Sequence, residues 1–76
     1  MDTLIINNNV QQKAFDFGRQ YFYMPDLTTE DYNERINDLT EQAVEEDGNV
    51  TPSMLDIIKD TIINIVEEGF SIEADA

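Results

Sequence analysis

Glu30, Glu34, Asp38, Glu41 and Glu45 follow one another at steps of three or four residues, the spacing that stacks side chains on one face of an α-helix. At 100° per residue the five fall within an arc of roughly 80°, with Asp31 at its edge, in a stripe about 22 Å long. Six aligned carboxylates offer electrostatic chemistry, the capture of a basic surface on another molecule. Asp56, Asp60 and Glu67 line up in the same way further along and form a second ridge. Acid–base catalysis would need carboxyls perturbed by burial or close partners around a substrate cleft, which a domain this small does not provide, so no enzymatic activity is expected. Metal binding fares no better. Glu45-Glu46-Asp47-Gly48-Asn49-Val50 resembles the middle of a calcium loop, but with Gly48 at the sixth position the first and twelfth ligands fall on Ala43 and Met54, which cannot ligate.

Composition narrows the choice further. The chain has 76 residues, 17 acidic against 4 basic, for a formal charge of −13, with neither His nor Cys. Imidazole and thiolate ligands, disulfides and the usual general base are all missing, and no metal or cofactor is expected. A phosphate backbone is held by Lys and Arg, so direct nucleic-acid binding is excluded as a main activity and a basic protein is the natural partner. The charge is also uneven: residues 1–25 balance Asp2 and Asp16 against Lys13 and Arg19, and the whole excess lies in residues 26–76. A chain that is 41% hydrophobic, with Leu4-Ile5-Ile6 and a run of branched aliphatics from Leu55 to Val66, can nonetheless build a small core. The opening Met1–Asn7 has no basic n-region and its apolar run stops after three residues, unlike a signal peptide or a membrane span. The expected address is the cytoplasm, with no membrane partner.

The carboxylates need elements to position them, and three helices are legible. The first, over about 9–24, carries Val10, Ala14, Phe17, Tyr21 and Met24 on one face, with Asn8 or Asn9 as N-cap and Pro25 as the stop. Phe15 and Phe22 form a second apolar line beside Gly18, and with Tyr23 they make a candidate hydrophobic contact surface. The second helix, over about 29–47, opens with Thr28 and Asp31 in a capping-box-like pattern and with Leu27 placed to staple Tyr32. It turns Tyr32, Ile36, Leu39 and Ala43 inward and ends at Gly48. The third, over about 52–68, starts at Thr51-Pro52, sends Leu55, Ile58, Ile62 and Ile65 inward and stops at Gly69. The expected fold is one all-α domain, a compact three-helix bundle, with room for a short strand pair between Leu4–Ile6 and Phe70–Ile72.

The stripe works against the helix that carries it. Glu30 with Glu34, Glu34 with Asp38 and Glu41 with Glu45 are like charges one turn apart, each costing about 0.2–0.5 kcal/mol. Glu45, Glu46 and Asp47 crowd a helix C-terminus, where the macrodipole prefers cations by about 0.3–1 kcal/mol per charge. Local rules broken without local compensation are characteristic of functional surfaces. Carboxylates one turn apart are spaced ~5–6 Å, and phosphates on one DNA strand advance ~3.4 Å along the axis, so two ridges approach a phosphate track in charge density. In its composition and its stripe from Glu30 to Glu45 the chain resembles the DNA-mimic inhibitors of phages and plasmids, among them anti-CRISPR and anti-restriction proteins and uracil-glycosylase inhibitors. That resemblance implies a non-enzymatic inhibitor that occludes a nucleic-acid site on a nuclease or related enzyme, in the host-cell cytoplasm if phage-encoded. The partner-binding residues are then Glu30, Asp31, Glu34, Asp38, Glu41, Glu45, Asp56 and Asp60. The alternative is a protein–protein adaptor, an antitoxin-like protein or an assembly subunit that binds through Phe15, Phe22 and Tyr23. Homodimerisation through that aromatic face is also open, opposed by the −13 charge unless the acidic faces point apart.

Overall fold

The computed structural model describes residues 8–47 and 51–75, and its elements are α1 (Asn8–Tyr21), α2 (Thr29–Asp47) and α3 (Pro52–Asp75). They pack as an all-α three-helix bundle, without strands among the described residues. Val10, Ala14 and Phe17 of α1, Ile36, Leu39 and Ala43 of α2, and Ile58, Ile62 and Val66 of α3 form one buried cluster, against which Met24, Leu27 and Tyr32 also pack. None of the helices among the described residues is long and apolar enough to cross a membrane.

Helix α1 ends three residues short of the expected Met24. Met24 precedes proline and is driven out of the α region, and the chain reaches Pro25 through two tight turns. In these the Tyr23 N–H donates to the Gln20 carbonyl at 2.9 Å and the Met24 N–H to the Tyr21 carbonyl at 3.0 Å. Asn8 and Asn9 are the first residues of α1 rather than its cap. The start of α2 is as the sequence predicts: the Asp31 N–H donates to Thr28 Oγ1 at 3.1 Å and the Tyr32 N–H to the Thr28 carbonyl at 3.0 Å. Thr40 is buried on α2, and its hydroxyl is satisfied by donating to the Ile36 carbonyl at 2.8 Å. Gly48, expected to close α2, lies outside the described residues, as does Leu4–Ile6.

The largest correction concerns α3. It does not stop at Gly69 but runs on to Asp75, so Phe70–Ile72 is helix and not strand. Its buried positions are Ile58, Ile62, Val66 and Gly69, while Leu55 is exposed and Ile65 half-buried. Gly69 is needed for close approach, not for a left-handed turn. A methyl group there would run into the Phe15 carbonyl oxygen and come within 3.3 Å of the Arg19 nitrogen, both on α1. Gly18 answers from the other side, where a methyl group would strike the Val66 carbonyl. The two backbones therefore meet, and α1 makes its largest interface with α3. Phe15 lies beside Gly69 and Arg19 beside Glu73, so α1 and α3 run in the same sense, whereas Lys13 bonding Gln42 and Tyr21 touching Tyr32 set α2 antiparallel to α1.

Glycine to alanine inside an exposed helix is ordinarily stabilising, by about 0.5–1 kcal/mol. Here the added methyl must push two backbones apart, and overpacking of this kind costs about 1–3 kcal/mol. Gly18→Ala and Gly69→Ala are each expected to lower stability by about that amount in denaturant unfolding; a raised midpoint for either would mean that the backbones do not meet there.

Candidate protein-binding surface

On α2 the apolar face and the acidic face are opposed. Ile36, Leu39 and Ala43 are buried, while Glu30, Asp31, Glu34, Asp38, Glu41 and Glu45 are all exposed. The one cation of α2 is also exposed, but it lies to one side of that face, toward α1. Arg35, the only basic residue of α2, lies with its guanidinium 5.4 Å from the centre of the Phe17 ring, on the α1 side. Lys13 reaches across from α1 to donate to Gln42 Oε1 at 3.0 Å, and Arg19 is paired with Glu73 on α3. Lys59 is half-buried. Lys13, Arg19 and Arg35 thus reach toward neighbouring helices, and Asp38 of the stripe lies at the rim of the α1–α2 groove that Lys13 and Arg35 also line.

Asp56 and Asp60 of α3 are exposed as well. Glu67 borders a cleft together with Tyr32 of α2. Asp60 and Asp56 precede it by seven and eleven residues, two and three helical turns on the same face, so the three form one ridge along α3 whose Glu67 end borders α2. No group of three or more carboxylates among the described residues is close enough to hold a metal ion. The acidic residues are spread as a surface.

Six of the seven aromatic residues form one ring network at the end of the bundle where α1 stops and α2 starts. Tyr21 is the hub, with ring centroids 5.1 Å from Tyr32, 5.5 Å from Phe70 and 6.0 Å from Phe17. Phe22 meets Phe70 edge-on at 5.5 Å and Tyr23 edge-on at 5.1 Å. Of the three aromatic candidates, Phe22 and Tyr23 come together and stay open, 41% and 65% exposed. Phe15 stands apart from this ring network, half-buried on α1 where its backbone faces Gly69. Phe70 belongs to the cluster and was missed because a strand was expected there. The helical step of four from Ile62 to Val66 to Phe70 was the available signal.

Beside these rings, Glu73 ties α1 to α3. Its carboxylate accepts from the Tyr23 hydroxyl at 2.7 Å and pairs with Arg19 Nε at 3.0 Å, and the side chain is 14% exposed. The Tyr23 hydrogen bond, then that of Arg19, holds the Glu73 carboxyl below its ordinary range against the opposing effect of burial. The same bond, with burial and the Glu73 charge behind it, pushes the Tyr23 phenol up, against the lowering effect of Arg19. Glu73 therefore contributes stability above its unfolded-state pKa, lost as pH falls through its folded value. Tyr23 contributes stability below its unfolded-state pKa, lost as pH rises through its folded value. Tyr23→Phe is expected to move the carbon-13 titration of the Glu73 carboxyl upward; an unchanged titration would mean that the hydroxyl does not hold it. Family models, curated proteins and solved structures give no match to this chain.

Proposed function

We propose that the chain is a non-enzymatic binding protein whose acidic face engages a basic, nucleic-acid-binding surface of another protein, inhibiting a nuclease or other nucleic-acid enzyme by mimicry of DNA or RNA. The observation that carries this reading is the sorting of charge on α2, where six carboxylates face outward and the single cation is drawn to the α1 side. A solvated face that served only solubility would gain as much from interspersed lysines, without like charges one turn apart. Asp56 and Asp60, exposed on α3 in line with Glu67, add a second acidic ridge. Association of this kind is electrostatically steered, weakens as salt rises, and is competed by nucleic acid for the same groove.

A second reading is favoured by a different observation, the exposed pair Phe22 and Tyr23. In it the aromatic end of the bundle is the contact surface of an adaptor or assembly subunit and the carboxylates supply only long-range attraction.

A pull-down from cell lysate with the wild-type chain and with a variant carrying Gln at Glu34, Asp38, Glu41 and Glu45 separates the two. Mimicry is expected to give a nucleic-acid enzyme with the wild type alone, recovered less at moderate than at low salt and displaced by added DNA or RNA. Recovery of the same partner by both proteins, combined with loss in Tyr23→Ala, would transfer the function to the aromatic end.

A further inference from the structure

Between the end of α1, the start of α2 and the later turns of α3 lies a cleft of about 420 Å³, lined by Tyr21, Tyr32, Val66, Glu67, Phe70 and Ser71. Its volume is in the range that accepts a side chain or a small ligand, ~300–1,000 Å³. Val66 is buried, Tyr21 and Tyr32 are half-buried and Phe70 is partly open. The rings do not lie flat on one another: Tyr21 is tilted 39° to Tyr32 and 49° to Phe70. Glu67, exposed and charged, adds a carboxylate to this lining.

An aromatic lining alone would suit an apolar side chain. Two features select a cation instead. Aromatic faces carry the negative part of the ring quadrupole and attract guanidinium and ammonium groups, and a carboxylate beside them supplies the counter-charge. The field of Glu67 reaches the cleft: burial first and then the Glu67 charge push the Tyr32 phenol up. The chain itself already places a guanidinium on this ring cluster, Arg35 over Phe17, whose ring is 5.8 Å from that of Tyr32. Arg35, however, lines the α1–α2 groove with Lys13 and Asp38, and it is not among the residues that line the cleft.

The geometry points to a cleft that accepts an arginine of the partner protein, its guanidinium laid on the Tyr21, Tyr32 and Phe70 rings and its charge met by Glu67. Arginine is preferred over lysine because its planar, weakly hydrated head stacks on aromatic faces. The inference rests on the reading of the chain as a binder of basic proteins and names an anchor for such a partner, apart from the outward carboxylates of α2. With the surrounding charge of −13, an arginine-bearing surface is favoured over a neutral one.

The test is an NMR titration of the full chain at ~0.15 M salt, where exposed charges more than ~8 Å away are screened, following the Tyr21, Tyr32 and Phe70 ring signals. The probes are N-acetyl-arginine amide, its uncharged isostere N-acetyl-citrulline amide, and N-acetyl-leucine amide. Arginine is expected to shift the three rings saturably, with citrulline and leucine roughly threefold weaker or more. Glu67→Gln is expected to weaken arginine about two- to fivefold, the range of an exposed ion pair. The variant with Gln at Glu34, Asp38, Glu41 and Glu45 should keep arginine binding within about twofold, because its changes lie on the outward face of α2. Equal shifts by leucine would make the cleft merely apolar, equal shifts by citrulline would make it indifferent to charge, and no shift with any probe would remove it as a site; each overturns the proposal. Arginine binding in the cleft, together with a pull-down in which neutralising α2 loses no partner, would retain the cleft and discard mimicry by α2.

Discussion

The close approach of the α1 and α3 backbones, at Gly18 against Val66 and at Gly69 against Phe15 and Arg19, governs how the rest of this small bundle is arranged. Two backbones that meet without side chains between them fix the spacing and register of α1 against α3 more tightly than interdigitated side chains do. From that register follow the placement of Arg19 opposite Glu73, the reach of the Tyr23 hydroxyl to the same carboxylate, and the seating of Phe70 against Tyr21 and Phe22. Each glycine inside a helix costs about 0.5–1 kcal/mol of intrinsic propensity, and the close packing it permits offsets that cost. Helix α2 then leans on the pair, with its outward carboxylates exposed among the described residues.

Charge is distributed according to that packing. With four cations against 17 acidic residues, neutralisation of the surface is out of reach, and three of the four basic side chains reach across to a neighbouring helix. Arg19 locks α3 to α1, Lys13 bonds across to α2, and Arg35 covers the Phe17 ring. The outer face of α2 is left to carboxylates. Folded domains are stable by only ~5–15 kcal/mol, and like charges at helical spacing weigh against that margin. A face kept acidic at such a cost is better explained by what it binds than by what it holds together, and this is the basis of the functional proposal.

Much of the architecture was legible in the amino-acid sequence because its signals were local. Thr28 before an acidic first turn and the steps from Tyr32 to Ile36, Leu39 and Ala43 identify α2 without reference to any other element, and exposure of the stripe follows as the opposite face. Proline set only an outer limit for α1, since the residues before it can leave the helix early through tight turns. Gly69 was ambiguous for a physical reason: glycine near a helix end serves equally as a left-handed terminator or as a place for a neighbouring backbone, and only the position of the Phe15 and Arg19 backbone on another helix decides between them. The same ambiguity hid Phe70 and Glu73, whose roles exist only once α3 continues past Gly69. The turning of Arg35 toward Phe17 is likewise a tertiary outcome that no spacing along α2 encodes.

The acidity of the α2 face opposes the stability of its own helix, and thermal unfolding of the wild type and of the variant with Gln at Glu34, Asp38, Glu41 and Glu45, across a salt series, measures that opposition. Relief of the like-charge pairs and of the crowded C-terminus is worth about 1 kcal/mol, so the variant should melt about 4–8 °C higher at low salt, with the gap closing as salt is raised. An unchanged or lower melting temperature in the variant would contradict the account, because the stripe would then carry no stability cost for function to explain.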